Sequence, residues 1–240
     1  RFVVTSLENA ELIKYASNAF LAMKVTFINE VANLCEMVGG DVLEVSRAIG
    51  LDNRIGRKFL NAGPGMGGSC FPKDTRAYAA TGVKYRAPQR LIETVIQVNE
   101  TRKINMADRI LDVFEKPLNK TAAILGIAFK PDTDDVREAP SLTIIPRLIE
   151  NGMKVRAYDP EAMEVGKTVL DDVSWCESAV EAARGADILV VLTEWGEFAA
   201  IDMSEVASAM AGDIIFDTRN ILPAEKVSGA GLKLMRVGAA

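Results

Sequence analysis

The chain has 240 residues, 49% of them hydrophobic and 25% charged, which is the composition of a folded globular protein and excludes a disordered one. Its net charge of −5, without a cluster of lysine and arginine, argues against nucleic acid as a partner, and no apolar run approaches the roughly 20 residues of a membrane span. The absence of histidine and the three dispersed cysteines exclude histidine-based dyads, zinc motifs and a disulfide framework, so we predict no metal and a reducing cytoplasm.

The first half of the sequence predicts helices. Ser6 is suited to cap a long helix over residues 6–38 and Gly39 to end it, and a capping box begins a short helix within residues 41–50. Another long helix is predicted between about residues 88 and 114. The helix over residues 6–38 is indicated by apolar residues spaced three or four apart on one face: Ile13, Ala16, Phe20, Met23, Phe27, Val31, Leu34 and Val38.

The segment 61–71 has four glycines and one proline in eleven residues, which predicts a loop held by its backbone. Cys70 ends this loop, two residues before Pro72, where a helix is predicted to begin. The positive end of that helix, with Lys73, would favour the thiolate form of Cys70, and Asp74 on the first turn could face the same site. A thiolate beside a carboxylate, without histidine, suits attack on an aldehyde, although a buried structural cysteine is the alternative.

Two further groups are weaker candidates. Lys14 and Asn18 lie four positions apart on one face of the first helix, where an ammonium and a carboxamide could stabilise an oxyanion. Exposed residues of these types are also common on solvated helix faces. The glycines of residues 63–68 follow no strand and have no acidic residue at the required offset, so we predict no dinucleotide site there.

After Pro117 the pattern changes to alternating strands and helices, beginning with a buried apolar run at 122–129. The alternation predicts a doubly wound, mostly parallel Rossmann-like sheet domain, so the chain as a whole is α/β with an all-helical region first. The further predicted strands are 155–158, 188–192, 214–216 and 232–237, and the helices are near 141–150, 161–169, 177–184 and 195–210. Ligands bind beyond the carboxyl ends of such strands, where the candidates are Lys130, Asp159, Thr193, Glu194, Asp217, Thr218 and Arg219.

Several segments, taken together, resemble the UDP-glucose/GDP-mannose 6-dehydrogenase family. They are its central-helix signature (11–22), its nucleophile loop Gly-Gly-Ser-Cys-Phe-Pro-Lys-Asp (67–74), the start and second strand of its C-terminal domain (125–137 and 158–160) and two later landmarks (193–195 and 216–219). The resemblance covers essentially the whole chain in the correct order. It implies a helical, dimerising central domain over residues 1–116 and a UDP-sugar-binding α/β domain over residues 117–240.

The family resemblance implies two successive NAD-dependent oxidations of a sugar alcohol to a carboxylate. Cys70 would capture the aldehyde as a thiohemiacetal and then carry a thioester. Lys14 and Asn18 would steady the oxygen charge, and Asp74 would position or activate water. Lys73 and Arg137 would lie on the NAD side, and Arg54 would reach the substrate of a neighbouring subunit. The resemblance implies seven substrate contacts: Arg54, Phe59, Leu60, Gly67, Phe129, Lys130 and Arg219.

The family also has an N-terminal NAD-binding domain, and residues 1–240 resemble only the two domains located after it. We therefore expect this chain to be a fragment that does not turn over alone, with NAD bound mainly by that N-terminal domain. Residues 69–74 and 193–195 look most like the UDP-glucose branch, while GDP-mannose and UDP-N-acetylmannosamine are alternative substrates. We expect a homodimer through the helical region. A non-catalytic module that binds nucleotide sugars and dimerises is the alternative function.

Overall fold

The computed structural model describes residues 2–239, and its first half is helical, as predicted. Four helices are found there: α1 (Leu7–Val38), α2 (Val42–Ile49), α3 (Phe71–Lys84) and α4 (Arg90–Leu111). Ser6 caps α1 by accepting a hydrogen bond from the Asn9 amide at 3.3 Å, and Gly39 ends it in the left-handed conformation (φ 77°). Asp41 caps α2 by accepting from the Leu43 amide. The predicted starts of α1 and α2 are therefore confirmed.

The apolar face predicted on α1 points outward instead of into the core. Ile13, Phe20, Phe27 and Leu34 recur every seven residues, and each is between 51 and 62% exposed. The inner face carries small residues such as Ala19, Ala22 and Ala32. Small side chains let the backbones of α3 and α4 approach α1 closely, so the large apolar residues are left on the outer surface.

The second half is an α/β unit with a six-stranded parallel sheet in the order β3-β2-β1-β4-β5-β6. Its elements are β1 (Thr121–Leu125), α5 (Ser141–Glu150), β2 (Lys154–Tyr158), α6 (Met163–Gly166), β3 (Val173–Trp175), α7 (Ala179–Ala183), β4 (Ile188–Val191), α8 (Gly196–Ala200), α9 (Met203–Ala209), β5 (Ile214–Asp217), α10 (Ala224–Gly229) and β6 (Lys233–Arg236). The chain winds outward from β1 in both directions, so the doubly wound prediction is confirmed and the sheet is wholly parallel.

Three details of the predicted sheet domain were wrong. The strand β3 and the helix α10 were not predicted. The apolar run at 122–129 is a strand only as far as Leu125. Gly126 then turns the chain in a positive-φ conformation (95°), in which an added Cβ would lie 2.4 Å from that of Thr193.

The helical half and the sheet share one continuous core. Ile28, Met106 and Ile110 from α1 and α4 belong to the same buried cluster as Ile124 and Ile145 of the sheet half. The end of the chain also returns to the helices, where the Gly238 amide donates to Glu36 at 2.6 Å and its carbonyl accepts from the Val42 amide at 2.7 Å. These contacts set the orientation of the two halves. The outer limits of the two predicted domains, residues 1 and 240, lie outside the described residues.

Candidate active site

Cys70 immediately precedes α3, at the end of the glycine-rich loop. Its side chain is exposed, whereas Cys35 and Cys176 are buried, and all three are free. The Ser69 hydroxyl lies 3.7 Å from the Cys70 sulfur. A cavity of about 530 Å³ opens beside the sulfur and is lined by Gly68, Ser69, Cys70, Lys73, Arg137 and Glu138. The cysteine singled out in the sequence is therefore accessible at a helix N-terminus, next to two cationic side chains.

Asp74, one turn into α3, is fully buried and joins α3 to α1. Its Oδ2 accepts a hydrogen bond from the Asn18 carboxamide at 2.7 Å and lies 3.5 Å from the Lys14 ammonium. Lys73 approaches the other oxygen, Oδ1, at 3.9 Å, and Oδ1 accepts no hydrogen bond within the described part of the chain. The structure thus brings Lys14, Asn18 and Asp74 together.

Buried polar side chains of α1 and α4 bind the backbone of the glycine-rich loop. Asn29 accepts from the Gly63 amide at 2.8 Å, and Arg102 donates to the Gly63 carbonyl. Asn99 binds both groups of Met66, accepting from its amide at 2.8 Å and donating to its carbonyl at 3.1 Å. A loop rich in glycine has few side chains to anchor it, so these bonds to its backbone fix its path.

These polar anchors were not predicted from the sequence. On α4 the buried face runs through Val95, Asn99, Arg102 and Met106, so polar residues continue the helical spacing where the apolar pattern is interrupted. The interruption of the apolar spacing by polar residues was the sequence signal that could have indicated these anchors. Burial lowers the pKa of the Arg102 guanidinium to about 10.

The C-terminal half covers the other side of the glycine loop. The Gly68 amide donates to the Arg137 carbonyl at 2.7 Å. A Cβ added at Gly67 would lie 2.4 Å from the Glu138 carbonyl oxygen, and one added at Gly68 would lie 2.7 Å from the Phe129 ring. Both positions therefore require glycine for the close approach of the two segments. Of the predicted substrate residues, Gly67 therefore packs against Glu138, and Phe129 packs against Gly68.

Arg137 projects into the cavity beside Cys70, held at its base by Asp135. Its guanidinium donates two hydrogen bonds to Asp135, at 2.9 and 2.8 Å, and its side chain remains 69% exposed. The pair raises the pKa of Arg137 and lowers that of Asp135. The cation is therefore held at the cavity and stays charged at every physiological pH.

Four of the residues predicted to face a ligand beyond the strand ends are buried instead: Asp159, Thr193, Asp217 and Thr218. Asp159 is fully buried and accepts from the amides of Ile127 (2.6 Å) and Ala128 (3.0 Å) and from the Trp195 indole. Asp217 is equally buried and accepts from three amides in residues 219–222. These carboxylates satisfy the orphan amides of the loops, so they hold the site's loops and do not face a ligand.

The remaining predicted substrate residues are placed differently. Lys130 is exposed, with its ammonium 5.6 Å from the Phe129 ring centre. Arg219 is mostly buried and donates to the Leu192 carbonyl at 2.7 Å and to the Phe129 carbonyl at 3.3 Å. Its guanidinium also lies 3.1 Å from Glu194. Arg219 therefore connects the ends of β1, β4 and β5.

The side chains that line the Cys70 cavity do not include Phe59, Leu60 or Arg54. Phe59 is partly exposed and packs on Phe71, with ring centres 5.8 Å apart. Leu60 is 1% exposed, so its side chain belongs to the core and does not line a cleft. Arg54 projects from the loop after α2, is 89% exposed and pairs with Asp52 at 2.6 Å. Of these three, Arg54 is the side chain most available to another molecule.

Among the described residues, no helix is long and apolar enough to cross a membrane. Within residues 2–239 there is also no group of three or more cysteine and acidic side chains placed to hold a metal ion.

Comparison with known proteins identifies both halves. The chain matches two models of the UDP-glucose/GDP-mannose dehydrogenase family, its central domain over residues 8–101 and its UDP binding domain over residues 123–224. UDP-glucose 6-dehydrogenase of Rhizobium meliloti (strain 1021) is 45% identical over 237 residues, which cover 98% of this chain and 54% of that protein. UDP-glucose 6-dehydrogenase TuaD of Bacillus subtilis (strain 168) is 44% identical over 237 residues, covering 98% and 51%.

A solved structure shows the same fold. A UDP-glucose dehydrogenase from the hyperthermophilic archaeon Pyrobaculum islandicum is 35% identical and superimposes with a TM-score of 0.89 over 99% of this chain and 53% of that one. The chain spans about half the length of the relatives that it matches.

Proposed function

This chain belongs to the UDP-glucose/GDP-mannose dehydrogenase family, and from that premise we propose that it is the nucleophile-bearing and UDP-sugar-binding part of an NAD-dependent UDP-glucose 6-dehydrogenase. The observation that carries the proposal is the exposed Cys70 at the start of α3, one helical turn from a buried carboxylate that binds Asn18. The 45% identity to a UDP-glucose 6-dehydrogenase supports glucose as the sugar. The reaction is the oxidation of the sugar's primary alcohol to a carboxylate.

Cys70 acts on the aldehyde stage of this reaction. Its sulfur adds to the aldehyde carbon, so that a carbon–sulfur bond forms and the carbonyl oxygen takes the electron pair as an oxyanion. The Lys14 ammonium is 59% exposed and keeps donors free beyond its contact with Asp74. The Asn18 carboxamide has a second N–H beside the one that Asp74 accepts. These two donors stabilise the oxyanion, and loss of a hydride from the same carbon leaves a thioester on Cys70.

Asp74 serves the hydrolysis of the thioester. Water adds to the thioester carbon and the carbon–sulfur bond breaks, so that Cys70 is released as a thiolate, the product leaves as a carboxylate and the two protons of the water pass to solvent. Asp74 Oδ1 is buried and accepts no hydrogen bond among residues 2–239, so it has capacity for one bond from a water molecule that enters the site. Lys73, 3.9 Å away, keeps the negative charge of Asp74 compensated during this step.

NAD supplies the acceptor for the hydride lost in each oxidation, but the sheet of this chain does not fit it. A dinucleotide fold presents the amides of its first turn to the pyrophosphate. Here that turn is Gly126–Phe129, and the Asp159 carboxylate already occupies the amides of Ile127 and Ala128. We therefore place the main NAD contacts outside this sheet. Lys73 and Arg137, which line the Cys70 cavity, are proposed to lie on the NAD side of the substrate.

The sugar nucleotide is proposed to lie against residues 129–130 and the Gly67 backbone. Lys130 supplies an exposed cation for a phosphate, Phe129 a flat apolar surface, and Arg219 holds the Phe129 carbonyl in place. Arg54 is proposed to contact the substrate of a second copy of the chain. The free cysteines support the cytoplasm as the location.

Calorimetric titration of the chain with UDP-glucose, GDP-mannose and UDP-N-acetylmannosamine, without NAD, tests the proposal. We expect UDP-glucose to bind selectively, Lys130→Ala to weaken binding about tenfold, or ~1.4 kcal/mol, and Cys70→Ser to bind normally. Lys233→Ala, an exposed lysine at the start of the edge strand β6, is the matched control. Binding that prefers another nucleotide sugar, or a Lys130→Ala variant equal to the control, would contradict the assignment. With NAD added, we expect no turnover from residues 1–240 alone.

A further inference from the structure

An ion pair lies directly behind the Cys70 loop. Arg76, on the second turn of α3, donates to both carboxylate oxygens of Glu138, at 2.8 and 2.9 Å. A bidentate pair of this kind fixes both the distance and the plane of its two groups. It joins the helix that begins after Cys70 to the segment that precedes α5.

The backbone of Glu138 makes the contact that this pair stabilises. Its carbonyl oxygen is the atom that would lie 2.4 Å from a Cβ at Gly67, and the preceding carbonyl, of Arg137, accepts from the Gly68 amide. The side chain of Glu138 thus binds Arg76 of α3, and its carbonyl packs against Gly67 of the glycine loop. Arg137, the next residue back, faces Cys70 across the cavity.

The pair is part of a larger charge network. Glu100 of α4 lies 3.9 Å from Arg76 and 3.0 Å from the ammonium of Lys103, whose side chain is almost fully buried. Two cations and two anions therefore alternate across α3, α4 and the segment before α5. Arg76 lowers the pKa of Glu138, so the carboxylate is charged at neutral pH.

We propose that Arg76 and Glu138 are positioning residues that hold the Cys70 loop in register with segment 129–137, so that nucleophile and substrate meet at the correct distance. Neither residue touches the reacting atoms. The inference rests on the proposed function, because it assigns the pair to the alignment of Cys70 with a sugar carbon bound against segment 129–137. Misplacement of about 1 Å can lower the rate of a reaction on the order of 100-fold.

Two measurements test the pair. Hydrogen exchange at Gly68 reports its amide bond to Arg137 and does not depend on any activity. We expect exchange at Gly68 to rise at least about tenfold in both Arg76→Ala and Glu138→Gln. In a chain of the relatives' full length that contains these residues, we expect kcat with UDP-glucose and NAD to fall at least about tenfold while KM for UDP-glucose changes less than about twofold.

Matched variants make the outcome decisive. Arg147→Ala removes another half-exposed ion pair between the two halves, that of Arg147 with Asp108, and should leave both readouts unchanged. Arg76→Lys, which keeps a cation between Glu138 and Glu100, should recover part of the kcat that Arg76→Ala loses. Unchanged exchange, or increased exchange with normal kcat, would overturn the inference. If the unsubstituted full-length chain does not oxidise UDP-glucose, the proposed function fails, and the exchange data alone then decide whether the pair holds the loop.

Discussion

At the scale of single residues, Asp74 shows how the proposed site depends on one buried charge. Its side chain is fully buried, and its hydrogen bond from Asn18 at 2.7 Å links α1 to α3. A buried carboxylate that loses a donor keeps the full cost of its desolvation. Asn18 therefore serves stability as well as the proposed chemistry.

Replacing Asn18 by alanine tests this dependence. We expect the free energy of unfolding of Asn18→Ala to fall by about 1–3 kcal/mol, because Asp74 Oδ2 keeps only the contact with Lys14 at 3.5 Å. Urea unfolding followed by circular dichroism measures the change. Ser17→Ala, an exposed neighbour that bonds only within α1, should change stability by less than about 0.5 kcal/mol. Equal stability of the two variants would show that the Asn18–Asp74 bond is not needed.

At the scale of elements, the glycine loop is a layer pressed between α1 and α4 on one side and residues 129–138 on the other. On the side of α1 and α4, its backbone is bound by Asn29, Asn99 and Arg102. On the other side, Glu138 covers it. A layer that is contacted closely on both faces has no room for large side chains. Its sequence is therefore constrained by packing before any chemistry is considered.

The Gly67→Ala substitution tests the packing of this layer. The added Cβ would meet the Glu138 carbonyl at 2.4 Å, so we expect a loss of about 1–3 kcal/mol and weaker binding of UDP-glucose. Thermal unfolding and calorimetric titration with UDP-glucose measure the two effects. Gly196→Ala is the control, because no atom of residues 2–239 lies within 4 Å of its added Cβ. A Gly67→Ala variant as stable as that control would contradict the close approach.

Asp187 binds residues at the start of β1, and the stability that this contact gives depends on pH. Asp187 accepts from the Lys120 ammonium at 2.8 Å and from the Thr121 amide at 2.9 Å. Burial raises the pKa of Asp187, but these hydrogen bonds outweigh it, and the folded-state pKa lies below its ordinary value of 3.8. A depressed pKa stabilises the fold above 3.8, and that stabilisation is lost as the pH falls through the folded-state pKa.

Unfolding at several pH values checks the sign. We expect Asp187→Ala to be about 1–2 kcal/mol less stable than the unsubstituted chain at pH 7, with the difference narrowing as the pH falls below 3.8. Urea unfolding curves recorded between neutral and acidic pH provide the comparison. A difference that stays constant or widens in acid would show that the Asp187 pKa is not depressed.

Much of the fold could be predicted from the sequence because a long helix repeats its apolar spacing over several turns. The caps of α1 and the place of Cys70 just before a helix are properties of neighbouring residues and are readable locally, whereas the exposure of Cys70 is not. The pairing of Arg76 with Glu138, 62 positions apart, is set by tertiary packing and has no local signature. Asp159 was expected to face a ligand, but loop amides compete for the same carboxylate, and only the structure shows which partner it has.

At the scale of the whole molecule, the outward apolar face of α1 is a large unpartnered surface. The side chains of Ile13, Phe20, Phe27 and Leu34 line it, and Phe27 borders a groove of about 210 Å³ together with side chains of α4. Exposed apolar surface of this extent is typical of protein interfaces. It agrees with the proposed homodimer, in which this face would meet a second copy of the chain.

A charge placed on this face should separate the copies. We expect the chain to sediment as a dimer and Phe27→Glu as a monomer in analytical ultracentrifugation, because a buried unpaired carboxylate is costly in an interface. Val169→Glu is the matched control, since Val169 is 52% exposed against 51% for Phe27 and lies on the sheet half. A chain that is monomeric without substitution, or a Phe27→Glu variant that remains dimeric, would show that this face is not the interface.

The close contact between Gly67 and Glu138 also has a consequence for the order of events during synthesis. The loop that carries Cys70 leaves the ribosome about 70 residues ahead of the segment that covers it. At about 5–20 residues per second, the cysteine spends roughly 4 to 14 seconds without that cover. The Cys70 thiol thus meets oxidants and electrophiles before the cavity beside it has formed, and the speed of translation sets the length of that exposure.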